Sequence, residues 1–282
     1  MTDLKLFFIN LDRAEDRAGY MWSCLKDLGL AGCTERVSAL DASRDRIRNG
    51  FERRFSSLCY ALDQTEIACW ESHRKAWQRM LDLDLEQAVF LEDDLVFAPG
   101  FKEVLSELVA HVADYDLIKL DGIRMLQRLG PDQSCGSLRL RCLHHVSYSS
   151  AAYLLSKVGA KRLLRESESY NLEVDMEVFA PRKGWRMFQL FPAICLQGMF
   201  LHEADREGLP EFVTVGQRMK DPGHKEAGEI EPWWFTTKRI LQVRLFHRIP
   251  NKLWRRRAFL HSGGSIERVP LKDGFARYNK VS

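Results

Sequence analysis

The sequence predicts an α/β fold, a sheet with helices over its faces, and three stretches carry that prediction. Residues 88–94 (AVFLEDD) set four apolar residues directly before three carboxylates. Residues 4–11 (LKLFFINL) and 115–120 (YDLIKL) are similar short apolar runs, each followed at once by an aspartate. An apolar run without polar alternation suits a strand buried on both faces, as in a parallel sheet covered by helices. The polar residues that end such strands emerge at the carboxyl edge, where open α/β sheets bind their ligands.

The elements follow in order. Leu4 to Leu11 is the first strand, and either Asn10 or Asp12 can cap the helix after it, which runs to about Leu28. Met21, Trp22, Leu25 and Leu28 fall at helical spacing and mark its buried face, and Gly29 closes it. Arg36 to Leu40 is a second strand with Asp41 at its end. The unit is a nucleotide-sized βαβ whose tips carry Asn10, Arg13 and Asp41. Neither a GxGxxG nor a P-loop pattern occurs, so no dinucleotide or P-loop site is signalled.

Residues 42–62 are polar and Arg-rich and resist assignment. A helix then starts at Asp63, with Glu66 three residues on at capping-box spacing, and Cys69, His73, Ala76 and Met80 share one face. A histidine on such a face is more often a hydrogen-bonded core residue than a catalyst. After 88–94, a helix over Phe101 to Val112 and the strand Tyr115 to Leu120 follow, with Asp121 at the strand's tip. Gly122 to Arg141 reads as an irregular loop over the site, and Val146 to Leu155 as a strand of small residues. Ser156 caps the next helix. Tyr170 to Phe179 carries Glu173, Asp175 and Glu177; Trp185 to Leu190 is a late strand stopped by Pro192, and His202, Glu203 and Asp205 come next. A Gly/Pro/charged stretch at 222–232 reads as a linker, dividing a catalytic unit (1–221) from an extension (222–282).

Composition is ordinary for a globular chain: 282 residues, 45% hydrophobic and 29% charged. The net charge of +3 is unevenly spread. Trp233 to His261 holds eight Lys or Arg and no Asp or Glu, which leaves the rest of the chain net acidic. Aromatic and aliphatic residues interleave with those cations, a pattern suited to an anionic membrane surface, to packing on the domain, or least to nucleic acid. Seven scattered cysteines without CxxC pairs argue against a structural zinc site or a fully paired disulfide framework, and reduced cytosolic thiols are expected. No charged leader with an apolar signal core opens the sequence, and no apolar stretch is long enough to cross a bilayer.

The chemistry centres on Glu92, Asp93 and Asp94. Carboxylates crowded at a strand end repel one another unless a hard cation neutralises them, and Mg²⁺ or Mn²⁺ then brings a phosphate-bearing substrate. The bland alternative is a solvated acidic turn. The series FFINLDRAEDR, TEIACWESHRKAW, VFLEDDLVF, YDLIKL, SSAAYLLSKVGAKRLL and EVD, in that order over about residues 4–200, resembles the bacterial lipooligosaccharide glycosyltransferases of family 25, whose relatives include the collagen galactosyltransferases.

That resemblance implies a GT-A type fold, a Rossmann-like mixed sheet flanked by helices, here with a basic C-terminal extension. It implies inverting transfer of a hexose, commonly galactose, from a UDP-sugar donor to a lipooligosaccharide-type glycan or glycolipid acceptor. The Glu-Asp-Asp element corresponds to the family's DxD, which holds Mn²⁺ (or Mg²⁺) against the diphosphate. The expected metal ligands are Asp94 and Asp93, with His202 as a third position. Donor contacts are expected from Asn10, Asp12, Arg13, Arg17, Asp41, His73, Glu92 and Asp93. Asp175 is the expected general base among Glu173, Asp175, Glu177, Glu203 and Asp205, because Val174-Asp175 matches the family's Val-Asp and lies among apolar neighbours. Ala68 and Ala42 stand where the family usually has glycine, a small-for-small change that leaves the fold but puts the donor hexose in question. The expected location is the cytoplasmic face of the bacterial inner membrane, peripherally bound, with no nucleic-acid partner. A Mg²⁺-dependent phosphohydrolase and a non-catalytic module that binds through its basic tail are the alternatives. The first lacks the usual Asp nucleophile followed by Thr.

Overall fold

The computed structural model describes residues 4–45, 62, 64–170, 172–201, 209–211 and 259–272. The first half of the sheet is laid down by β1 (Lys5–Asn10), α1 (Glu15–Asp27), β2 (Thr34–Ser38), α2 (Gln64–Asp82), β3 (Gln87–Glu92), β4 (Leu95–Phe97) and α3 (Phe101–His111). After these come β5 (Leu117–Lys119), β6 (Asp121–Gly122), β7 (Gln127–Cys135), β8 (Leu138–Leu143), β9 (Ala152–Ser156) and α4 (Lys157–Glu166). Last are α5 (Val174–Val178), β10 (Met187–Phe191), β11 (Cys195–Gln197) and β12 (Ser265–Glu267). Nine strands form one sheet in the order β12-β7-β8-β10-β5-β9-β3-β1-β2, and β4-β11-β6 form a small second sheet.

The sheet is mixed, as the resemblance implies, rather than wholly parallel as the apolar runs alone suggest. β1 lies parallel to both β2 and β3, and β10 parallel to β5, but β9 runs antiparallel between β3 and β5. The apolar runs are the central strands: Leu6, Phe7 and Phe8 on β1 and Ala88 to Leu91 on β3 are fully buried. α2 covers them with Ile67, Ala76, Trp77 and Met80 on one stripe. Burying a side chain such as Met80 contributes about 2 kcal/mol. Ser156 accepts from the Gly159 amide at 3.0 Å and caps α4, as expected.

Three local expectations change. Residue 14, not Asn10 or Asp12, is the N-cap of α1, because Asn10 donates through Nδ2 to the Ala14 carbonyl while Asp12 is turned to Arg36 and Ser38. Gly122 to Arg141 is no loop; it holds the end of β6 and most of the β7–β8 hairpin, turned at Gly136 with φ +61°. Its polar middle (Pro131 to Ser134) is exposed, and the register slips between Leu129 and Asp132, where the proline sits. A solvated, bulged strand lacks the apolar pattern that reveals a buried one. The strand expected from Val146 begins only at Ala152. The expected cap Asp63 lies outside the described residues.

Beyond residue 211 the described chain resumes at Phe259. There β12 pairs antiparallel with β7, and Val269 and Leu271 are buried in the core. Ala193 and Lys272 exchange backbone bonds with this segment, Ala193 N to Pro270 O and Lys272 N to Ala193 O, both at 2.9 Å. The stretch at 222–232 and the basic run from Trp233 to Ala258 lie outside the described residues. Among the described residues no helix is long and apolar enough to cross a membrane.

Candidate functional site

β3 delivers its acids between two neighbours. Its end lies beside Asn10 at the tip of β1 and beside the Ser149–Ala151 segment that enters β9, where the Glu92 amide bonds Ala151 O at 2.7 Å. The three carboxylates then diverge. Asp93 turns to the β1 side: it accepts from Asn10 Nδ2 at 2.6 Å and pairs with Arg17 at 3.2 Å. Burial pushes its carboxyl up, against the opposing pull of Arg17 and Asn10.

Asp94 and Glu92 turn to the other side, to Gln197 at the end of β11. Gln197 Nε2 donates to Asp94 Oδ2 at 2.9 Å and stands 3.3 Å from Glu92 Oε2. Asp94 Oδ1 is buried with no hydrogen-bond partner. Burial, reinforced by the charges of Glu92 and Asp93, holds the Asp94 carboxyl well above the ordinary range. Glu92 behaves oppositely. Burial raises it, yet His73, the Ser150 hydroxyl at 2.5 Å and Lys119 together bring it below the usual value.

His73 stands behind Glu92, buried on α2, rather than at the open rim. Trp77 Nε1 donates to the Tyr153 hydroxyl at 2.7 Å, and that hydroxyl lies 2.8 Å from His73 Nδ1. On the other edge of the ring, Nε2 lies 3.4 Å from Glu92 Oε1. The histidine thus stands between a buried phenol and a site carboxylate.

Ser149 knits the second half together. Its Oγ donates to Asp121 Oδ2 at 2.8 Å and lies 3.3 Å from Gln197 Oε1, its amide donates to Asp175 Oδ2 at 2.9 Å, and its carbonyl accepts from Lys119 Nζ. It does so from the left-handed region, φ +73°, which costs a non-glycine residue about 1 kcal/mol. Lys119 and Asp121 form a fully buried ion pair at 2.7 Å beneath it, and the ammonium sits 4.6 Å from the centre of the Phe179 ring. Asp175, in the first turn of α5, is half-buried, and desolvation raises its carboxyl above the usual range. Glu173, just before α5, is likewise raised by burial.

The remaining expected residues are spread along the rim. Arg13 Nε pairs with Asp41 Oδ2 at 2.6 Å; two bonds from Ser43 and this arginine hold Asp41 down to about 2. Asp12 is exposed and accepts from Arg36 and Ser38, at 2.7 Å each. Glu177 stands on α5. His202, Glu203 and Asp205 lie outside the described residues. Sequence reading overlooked Gln197, Ser149, Ser150 and Lys119. Only the small residues before β9 hinted at the two serines, and nothing in the pattern marks a glutamine 103 positions from Asp94.

A divalent cation suits the donor set here. Asp94 Oδ1 is an orphaned, buried carboxylate oxygen flanked by two further acids. Among the described residues no group of three or more His, Cys, Asp or Glu is placed to hold a metal ion by itself. Mg²⁺ and Mn²⁺ sites commonly use one or two carboxylates and take the rest from substrate phosphates and water.

Residues 3–178, which include Asn10, the three acids and Asp175, match the profile of glycosyltransferase family 25 (LPS biosynthesis protein). The chain belongs to that family. A glycosyltransferase 25 family member of Drosophila pseudoobscura pseudoobscura is 31% identical over 56% of this chain and 26% of its own length. Human procollagen galactosyltransferase 2 is 27% identical over 57% of this chain and 27% of its own. A cattle protein named "Probable inactive glycosyltransferase 25 family member 3" is 28% identical over 57% and 28%. The chain therefore spans about a quarter of the length of these relatives, one of which carries the words "probable inactive" in its name.

Proposed function

We propose that this chain is a metal-dependent, inverting glycosyltransferase that moves a hexose, galactose first among them, from a UDP-sugar to a lipooligosaccharide-type glycan or glycolipid. The observation that carries the reading is Asp94 Oδ1, a buried carboxylate oxygen left without a partner between two further acids. Such an arrangement is costly for the fold alone and makes sense where a cation completes it. Asp94 and Glu92, kept in place by Gln197, Ser150 and His73, would hold Mn²⁺ or Mg²⁺, with Asp93 and His202 as further candidates. When bound, that ion supplies Lewis-acid stabilisation for the charge that grows on the departing diphosphate.

The chain's own residues do the rest. Arg17 and Arg13, on the β1 side, offer cations near the strand tips where a donor's phosphates bind, and Asp41 suits a ribose or uracil group. Asp175 removes the proton of the acceptor hydroxyl as its oxygen attacks the anomeric carbon from the face opposite UDP. A carboxyl raised by burial is a more competent base than an exposed one. Ser149 fixes that carboxylate from the backbone while its hydroxyl reaches Asp121 and Gln197. The basic, aromatic stretch 233–257 supports a peripheral position on an anionic membrane, in keeping with a lipid-anchored acceptor.

A panel of UDP-sugars, each with and without Mn²⁺, tests this by thermal shift, since a ligand that binds the native state raises Tm. The expected result is Mn²⁺-dependent stabilisation by UDP-galactose above the other UDP-sugars, and release of UDP only when a glycan acceptor is added. Release of inorganic phosphate instead would mark a hydrolase. No stabilisation by any UDP-sugar would make this chain an inactive member of its family.

A further inference from the structure

A cavity of about 200 Å³ opens between the stretch that follows Asp121 and the stretch that leads into Ser149, and none of the acids of the rim lines it. One wall includes Leu126, Gln127 and Arg128, in the stretch that follows Asp121; the other includes His145 and Tyr148, in the stretch that leads into Ser149; Ile266 of β12 closes it. Both walls are therefore covalently continuous with residues of the network that holds Asp175. Leu126 and Tyr148 are well exposed there, 66% and 39%, in a protein whose other large apolar side chains are mostly buried.

Gln127 distinguishes the cavity from an ordinary surface dent. It is 6% exposed, and its Oε1 accepts from the Ser147 hydroxyl at 2.8 Å, while its Nε2 is buried without an acceptor. A buried amide group with no partner is costly, and such groups are usually completed by something the protein binds. Its oxygen and nitrogen can exchange places by a flip that Ser147 can follow, so the orphaned position calls for an acceptor in one setting and a donor in the other. A hydroxyl, both donor and acceptor, completes it in either setting, whereas a carboxylate completes only the first and a cation only the second. An exposed tyrosine face next to a hydroxyl-seeking amide, with apolar residues around, suits a sugar ring, whose C–H face is apolar and whose rim is polar.

We infer that this cavity is a second carbohydrate site, which seats the acceptor sugar with a hydroxyl on Gln127 and its ring against Tyr148. The inference rests on the transferase reading for the word acceptor, but sugar binding here requires neither the metal nor the donor. Saturation-transfer NMR on the full chain, with methyl glycosides of glucose, galactose and N-acetylglucosamine as probes, tests it without turnover. Wild type should give saturation transfer to at least one glycoside. Gln127→Leu should weaken that binding about tenfold, the usual consequence of losing one buried hydrogen bond. Tyr148→Ala, at a half-exposed position where folding is safe, should weaken it comparably, and melting curves confirm that both variants fold. No signal from any of the three glycosides, or equal binding by wild type and both variants, overturns the proposal. Because UDP-sugar thermal shift is measured separately, loss of donor binding would strike the transferase reading and leave this one standing, and the reverse.

Discussion

The acidic rim has two halves that solve the same electrostatic problem differently. On the β1–β2 side each acid already has a cation: Asp93 has Arg17, Asp41 has Arg13, Asp12 has Arg36. On the β9–β11 side Asp94 and Glu92 meet neutral groups, Gln197 and Ser150, with His73 behind, and the buried Lys119–Asp121 ion pair lies beneath. The first half is complete as it stands. The second is left short of positive charge, and Asp94 carries the shortfall in its raised carboxyl and its unpartnered oxygen. An acid satisfied by arginine is a poorer place for a metal, so on the proposed reading Asp94 and Glu92 are the principal ligands and Asp93 the weaker candidate.

The largest expected effect tests that contrast directly. Asp94→Asn should lower transfer by about a thousandfold or more, because an amide keeps the shape and loses the charge that a hard cation requires. It should also leave Tm unchanged or raise it at pH 7. A carboxyl whose folded value lies above its unfolded one, 3.8, weakens the fold progressively as pH rises through that folded value, and the amide removes the penalty. Asp93 is raised by burial as well, but Arg17 and Asn10 oppose the rise. Asp93→Asn should therefore relieve less of this penalty while leaving the mostly buried Arg17 without its counter-ion, and its Tm should fall below that of Asp94→Asn. Melting curves and transfer rates on the pair decide it. A Tm for Asp93→Asn equal to or above that of Asp94→Asn, or Asp94→Asn activity within a few-fold of wild type at saturating Mn²⁺, would erase the distinction.

Asp175→Asn comes next. It should reduce turnover about 10²–10⁴-fold while UDP-sugar and Mn²⁺ affinities stay near wild type, as loss of a general base does. The wild-type product from an α-linked donor should be β-linked. An α-linked product, or a variant that loses donor affinity along with turnover, would move Asp175 out of the base role.

What the sequence made legible follows from the same physics. β1, β3 and β5 announced themselves because strands buried on both faces must be apolar without interruption, and the acids after β3 stood out because nothing else in the chain sets three carboxylates against such a run. The β7–β8 hairpin stayed hidden because its exposed middle is polar and broken by a bulge. Gln197, Ser149 and Lys119 were invisible for a different reason. Neutral and buried partners are recruited from distant parts of the chain by topology, and a glutamine or serine bears no local mark of what it will touch.

Ser149 offers a finer probe of the second half, because its backbone and its side chain can be separated. Ser149→Gly removes the hydroxyl bonds to Asp121 and Gln197 but accepts φ +73° freely; Ser149→Ala removes the same bonds and keeps the unfavourable conformation. Ser149→Ala should therefore be less stable than Ser149→Gly by about 1 kcal/mol. Both should lower kcat more than they raise the donor KM, since neither touches the β1 side. Equal stabilities would mean that the segment relaxes out of the left-handed region once its hydroxyl is gone.

The smallest expected effect belongs to the completed half. Asp41 titrates near 2, below its ordinary 3.8, chiefly because the Ser43 hydroxyl and amide bond its carboxylate, with Arg13 adding to them. A depressed carboxyl contributes stability that is fully present above its unfolded value and is lost as pH falls through the folded one. Between about pH 4 and pH 2, wild type should thus lose stability that Asp41→Asn does not lose. The two melting curves should converge as the pH drops. At pH 7, where the variant lacks the charge altogether, the difference should be modest, about 1 kcal/mol, since Arg13 is partly solvated and water screens the pair. Chemical denaturation of both proteins at pH 7 and at pH 3 measures this. A gap between them that widens toward low pH would reverse the sign and show that the serine bonds do not hold Asp41 ionised.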